Sequence, residues 1–148
     1  MRKLRLYVGC ALTDAPIEFR EKIEKLKNML REEYEILDFI CLVNGTPTDV
    51  YRWDIHKCVA TCDMLVAICD YGATGLGYEM GTSVEKHGKP TLGLAHEDSK
   101  VSRITYGIDH QNYTWRRYRT LEDIVVLIRE MAKQHFSHLS LQLEMVLC

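Results

Sequence analysis

A short apolar run that ends in a glycine-rich turn constrains this sequence more than any other stretch. Residues 64–69 are continuously apolar, which is typical of a strand buried on both faces of a parallel sheet. Residues 70–77 contain three glycines, which let backbone N–H groups approach a ligand closely. Glu79 follows, and we expect it in the first turn of the next helix, where the helix dipole favours an ionised carboxylate. The stretch therefore predicts a strand–loop–helix unit with Glu79 as its reactive group.

The rest of the chain alternates predicted strands and helices, which indicates a parallel sheet with right-handed helical crossovers. We expect one domain over residues 1–148: a flavodoxin-like, doubly wound α/β fold whose five-stranded, mainly parallel sheet carries helices on both faces. A strand order of 2-1-3-4-5 would place ligands beyond the ends of the first and third strands. The tail, residues 137–148, fits either a helix extension or a strand. The other strands are expected at 4–9, 34–43, 90–95 and 113–117, a loop at 44–49, and helices after Pro16, at 50–62, up to His87 and from Leu121.

Composition argues against several classes of partner. The chain has 19 basic and 21 acidic residues mixed along its length, so we expect neither a nucleic acid polymer nor a membrane as partner. No apolar run approaches the ~20 residues that a membrane span needs. Six cysteines without a repeating spacing, and a start without a signal-peptide pattern, predict free thiols and a cytoplasmic location. The expected partner is a small molecule.

Cofactor patterns are weak in this sequence. The glycines at 75, 77 and 81 follow the third predicted strand, whereas the dinucleotide fingerprint G-x-G-x-x-G follows the first. His56, Cys58 and Cys62 lack a second pair at zinc spacing. We therefore expect no cofactor and no metal. A flavodoxin-like redox protein and a purely structural glycine turn remain open alternatives.

The segment DMLVAICDYGATGLGYEMG, at residues 63–81, with GKP at 88–90 and SRITYG at 102–107, resembles the nucleoside 2-deoxyribosyltransferase family. That family includes relatives that hydrolyse 2'-deoxynucleoside 5'-monophosphates. The likeness covers roughly residues 4–130, and its most specific part is the G-x-G-Y-E-x-G core. It implies that Glu79 attacks the anomeric carbon of the sugar, displaces the base and holds a covalent glycosyl-enzyme intermediate. Transfer to a second base or to water would then complete the reaction.

The resemblance also implies roles for residues around Glu79. Tyr7 matches a tyrosine whose hydroxyl orients the nucleophile, although a core tyrosine would look the same in the sequence. Ser102 stands where the hydrolases have a serine that contacts the 5'-phosphate from the neighbouring subunit, which implies a homodimer or higher homo-oligomer with shared sites. The remaining substrate contacts are expected from the end of the first strand and from the glycine loop: Gly9, Asp70, Thr74, Gly75 and Gly77.

Two positions depart from the family pattern. Ile55 stands where the second acid is usual, and Asp54 lies one residue earlier. A one-residue shift rotates a side chain by ~100° in an α-helix, so Asp54 reaches the site as a catalytic acid only if that helix is rearranged. Ala73 replaces the serine of the hydrolases and the aspartate of the transferases, for which Asp70 or Thr74 could compensate. The alternative is a catalytically impaired nucleotide-binding sensor of the same fold.

Overall fold

The apolar run after Asp63 forms the central strand of the sheet, and all five of its residues are buried. The computed structural model describes residues 2–39 and 45–146, with side chains described as far as residue 137. Five parallel strands pair in the order β2-β1-β3-β4-β5, which confirms the expected order and the flavodoxin-like fold class. The strands are β1 (Arg5–Cys10), β2 (Glu35–Leu37), β3 (Met64–Ile68), β4 (Thr91–His96) and β5 (Tyr113–Tyr118).

Helices cover both faces of the sheet, as expected. Helices α1 and α5 pack on one face through apolar residues such as Phe19, Ile23 and Ile128. Helices α2 and α3 pack on the other through Val59, Leu76 and their neighbours. The helices are α1 (Ile17–Leu30), α2 (Pro47–Tyr51, continued as a π-helix over Arg52–Val59), α3 (Thr74–Gly81, continued as a π-helix over Thr82–Lys86), α4 (Arg103–Tyr106) and α5 (Leu121–Val146).

The predicted boundaries of two elements, the second helix and the second strand, were wrong. Helix α2 begins at Pro47, inside the expected 44–49 loop, because a capping box satisfies its first N–H groups. The Asp49 N–H donates to the Thr46 hydroxyl at 3.2 Å, and the Thr46 N–H donates to the Asp49 carboxylate at 2.9 Å. The second strand is only three residues long within the expected 34–43, of which 40–43 lie outside the described residues.

The end of the chain resolves an open alternative. Helix α5 continues to Val146, so the tail from residue 137 to 146 extends a helix and does not form a strand. Gly88 ends the helix that follows the glycine loop, as expected, with a φ of 57° in the left-handed region. Four cysteines, at positions 10, 58, 62 and 69, are free thiols, while Cys41 and Cys148 lie outside the described side chains. Within the described part of the chain, no helix is long and apolar enough to cross a membrane.

Candidate active site

Two predicted catalytic residues meet where β1 and α3 come together. The Tyr7 hydroxyl donates a hydrogen bond to Glu79 Oε1 at 2.9 Å, although the two residues are 72 positions apart in the sequence. Tyr7 is buried, with 1% of its surface exposed, in the core beneath α2 and α3. Strand β1 thus places a buried hydroxyl donor against a carboxylate carried by α3.

The environment of Glu79 differs from the one predicted. Helix α3 begins at Thr74, so Glu79 lies in its second turn, and the expected stabilisation of a carboxylate by the first helical turn does not apply. Burial instead raises the pKa of Glu79 to about 7. The hydrogen bond from Tyr7 lowers that pKa, and the charge of Asp54 raises it. Glu79 therefore exchanges its proton near neutral pH.

Asp54 lies close enough to the pair to act on it electrostatically. Burial and then the charge of Glu79 raise the pKa of Tyr7, and Asp54 adds to this effect. Ile55, at the position of the family acid, is buried in the core with 4% of its surface exposed. The structure thus brings Asp54, and not residue 55, into the neighbourhood of Glu79.

Asp54 lies in a π-helical continuation of α2. The segment Arg52–Val59 is π-helical, and the Ala60 N–H closes it by donating to the carbonyl of Ile55, five residues earlier. A π-helix has a wider turn than an α-helix, so successive side chains rotate by less than ~100°. The side-chain rotation expected for a regular α-helix therefore does not apply to this segment. Beside it, Trp53 Nε1 donates to the Asp38 carbonyl at 2.7 Å, which ties the π-helix to the segment after β2.

Gly9 lies against the Glu79 carboxylate. Tyr7 and Gly9 are two residues apart on β1, so they face the same side of the sheet, toward α3. A Cβ atom added to Gly9 would lie 2.8 Å from Glu79 Oε2. The structure therefore brings Tyr7, Gly9, Asp54 and Glu79 together.

Ser102 shares a cavity of about 220 Å³ with the glycine loop of the same chain. Ala73 and Gly77 line this cavity, whereas Thr74 and Gly75 lie exposed on the first turn of α3. Glu79 and Tyr7 are not among its lining residues, which are Cys69, Tyr71, Gly72, Ala73, Leu76, Gly77, Met80, Lys100, Val101, Ser102, Ile104 and Thr105. A larger apolar cavity of about 670 Å³ runs along α1 and contains neither Glu79 nor Ser102.

Asp70 is not brought together with Glu79. Its Oδ2 accepts a hydrogen bond from the Tyr118 hydroxyl at 2.7 Å, and its Oδ1 accepts one from the His96 N–H at 3.1 Å. Asp70 thus joins the ends of three strands and lines a separate cavity of about 380 Å³ beside Phe19 and Lys22 of α1. Its partner Tyr118 was not predicted, and the only signal for it in the sequence is its place directly after the fifth predicted strand.

Comparison with known proteins finds solved structures with the same fold. No family model matches the chain, and no curated protein matches it in sequence. The chain shares its fold with a CMP N-glycosidase. That protein, BcmB from Clostridium botulinum, has a TM-score of 0.60 and 17% sequence identity, over 84% of this chain and 98% of its own. A conserved protein from Enterococcus faecalis V583 has a TM-score of 0.52 and 13% identity, over 89% of this chain and 99% of its own.

Proposed function

We propose that this protein cleaves the N-glycosidic bond of a 2'-deoxynucleoside or of its 5'-monophosphate, with Glu79 as the nucleophile. The observation that carries the proposal is the hydrogen bond from Tyr7 of β1 to Glu79 of α3, the helix that follows β3. The order of the strands reverses between β1 and β3, and ligands bind at such a reversal in folds of this class. The C. botulinum neighbour is a CMP N-glycosidase, which supports the same class of bond cleavage.

The two oxygens of Glu79 have different tasks in this mechanism. Tyr7 holds Oε1, while no described residue donates a hydrogen bond to Oε2. Oε2 attacks the anomeric carbon, the bond from that carbon to the base nitrogen breaks, and its electron pair leaves with the base. Water or a second base then attacks the same carbon and releases Glu79.

The departing base needs a proton, and Asp54 is the acid that we propose for this step. Its charge acts on both Glu79 and Tyr7, so a proton on Asp54 removes a repulsion that opposes the ionised nucleophile. A protonated Asp54 beside an ionised Glu79 is the reactive combination.

The cavity beside the glycine loop is where we place a 5'-phosphate. Ser102 offers a hydroxyl and Lys100 a positive charge, and both line the same 220 Å³ space as Ala73 and Gly77. In the described chain Ser102 meets the glycine loop of its own subunit. The homodimer with shared sites stays a prediction, which analytical ultracentrifugation tests directly.

The test is chromatographic detection of free base after incubation with 2'-deoxynucleosides, their 5'-monophosphates and CMP, each with and without an acceptor base. We expect release by the wild type and none by Glu79→Gln. The matched control is Glu85→Gln, an exposed acid farther along the same helical segment. Equal release by wild type and Glu79→Gln refutes the nucleophile.

The same incubations separate the alternatives. Base release without an acceptor indicates hydrolysis, and a new nucleoside formed only with an acceptor indicates transfer. A sensor predicts a ligand-dependent rise in Tm with no base released. Ala73 is the observation that favours the sensor, because it offers no side-chain hydrogen bond at the start of α3.

A further inference from the structure

Gly9 occupies a position that requires glycine for space and not for backbone conformation. Among the described residues, the glycines with positive φ are Gly45 and Gly88, so Gly9 adopts a conformation open to other residues. An added Cβ, however, would lie 2.8 Å from Glu79 Oε2 and 3.1 Å from Leu76 Cδ1. Real Cβ atoms essentially never approach another heavy atom closer than 3.0 Å.

The contact falls on the carboxylate oxygen that Tyr7 does not hold. Tyr7 donates to Oε1, and Gly9 faces Oε2 from the same side of β1. The Glu79 carboxylate thus lies between a hydroxyl and a bare Cα on one strand. That strand pairs with β2 on one side and β3 on the other, so it is held more firmly than the end of the Glu79 side chain.

We infer that Gly9 is a positioning residue, whose missing side chain lets the Glu79 carboxylate lie against β1 within hydrogen-bonding distance of Tyr7. The role in catalysis rests on the proposed function, but the geometric role does not. A methyl group at position 9 displaces the far end of Glu79 first, because Leu76 is packed in the core. The displaced carboxylate loses the hydrogen bond from Tyr7.

The direct test is a 13C NMR titration of the Glu79 side-chain carboxyl, with its signal assigned by Glu79→Gln. The bond from Tyr7 lowers the pKa of Glu79, so Gly9→Ala and Tyr7→Phe should each raise it. The double variant should add nothing beyond either single change, because both act through one hydrogen bond. The control is Gly81→Ala, at a glycine of α3 with open space around it. A Gly9→Ala titration identical to that of Gly81→Ala overturns the inference.

Thermal unfolding tests the same contact without activity. We expect Gly9→Ala to lower Tm more in the wild-type background than in Glu79→Ala, where the clashing carboxylate is gone. If Gly9→Ala alone does not fold, recovery of folding in the Glu79→Ala background supports the inference. Equal destabilisation or failure in both backgrounds overturns it, because the clash then lies elsewhere.

Kinetics distinguish this inference from the proposed function. If the wild type cleaves nucleotides, Gly9→Ala should lower kcat by about 10- to 100-fold with a smaller change in KM. An inactive wild type whose Glu79 titration still shifts in Gly9→Ala refutes the proposed function and leaves the positioning role standing. If the wild type is active but the Glu79 titration does not shift in Gly9→Ala, the positioning role is refuted and the proposed function stands.

Discussion

Two tyrosine–carboxylate pairs lie on opposite faces of the sheet. Tyr7 donates to Glu79 at 2.9 Å beneath α2 and α3, and Tyr118 donates to Asp70 at 2.7 Å on the side of α1 and α5. Asp70 uses both oxygens for protein donors, since His96 N–H occupies the second. Glu79 has one oxygen without a donor from the described residues. The same pairing therefore makes a structural tie on one face and a candidate reactive group on the other.

The largest expected difference between the pairs is in base release. Glu79→Gln should lower the rate by about 10⁴-fold, because an amide cannot replace the nucleophilic carboxylate. Asp70→Asn should change it by less than about tenfold, because the Asp70 oxygens are occupied by Tyr118 and His96. The measurement is chromatographic base release at saturating substrate. A loss in Asp70→Asn as large as that in Glu79→Gln would remove the functional distinction between the pairs.

Tyr7→Phe should lower kcat by about 10- to 100-fold and shift the pH dependence. The reactive pair holds one proton, on Asp54, while Glu79 is ionised, so kcat/KM should pass through a maximum and fall once that proton is lost, as pH rises through the Glu79 pKa of about 7. Removing the Tyr7 hydroxyl removes the bond that lowers this pKa, so the midpoint of the fall should move to higher pH. A pH series of kcat/KM for wild type and variant measures the shift, and a shift to lower pH would contradict the assignment.

Burial of Glu79 should also cost folding stability above neutral pH. Its pKa is about 7 in the folded protein against a reference of 4.5, so the native state binds more protons in between and stability falls as pH rises through that window. Glu79→Gln lacks this cost. Between pH 4 and pH 8, the stability of Glu79→Gln relative to wild type should increase by up to about 3 kcal/mol. Urea unfolding at a series of pH values measures it, and a constant difference would refute the raised pKa.

The Tyr118–Asp70 pair should show a smaller effect, confined to stability. Tyr118→Phe leaves Asp70 Oδ2 without its donor, which should cost about 1–2 kcal/mol in unfolding free energy. Base release should stay within about twofold of wild type, because the ring and its packing remain. Urea unfolding and the base-release assay measure the two quantities. A drop in activity without a drop in stability would place this pair in the reaction.

Local sequence patterns were sufficient to predict most of the strands and helices of the fold. The apolar run of β3, the spacing of Phe19, Ile23 and Leu26 in α1, and Gly88 at a helix end each follow from short-range rules. The start of α2 was also within reach, because Thr46, Pro47 and Asp49 form a recognisable capping sequence. The error there was to treat a helix start as a loop.

The candidate site was harder to predict, because its geometry depends on distant partners. The sequence suggested Tyr7 and Glu79 but placed Glu79 in the wrong helical turn. Gly9 and Asp70 stay predicted ligand contacts. The structure adds that Gly9 lies against Glu79 and that Asp70 is bound to a tyrosine 48 residues away, neither of which the sequence indicated. Sequence patterns predict contacts between residues close in the chain well, and contacts between residues on different strands and helices poorly.

The sequence by itself determined the order of strands and helices, the parallel sheet and the glutamate of the G-x-G-Y-E-x-G core, Glu79. These depend on hydrophobic periodicity and turn chemistry, which act over a few residues. Only the tertiary structure decided which oxygen of Glu79 is held, that burial raises its pKa to about 7, and that Asp54 lies near enough for its charge to act on it. Those properties arise from desolvation and from contacts between elements far apart in the chain, and they exist only once the elements have packed.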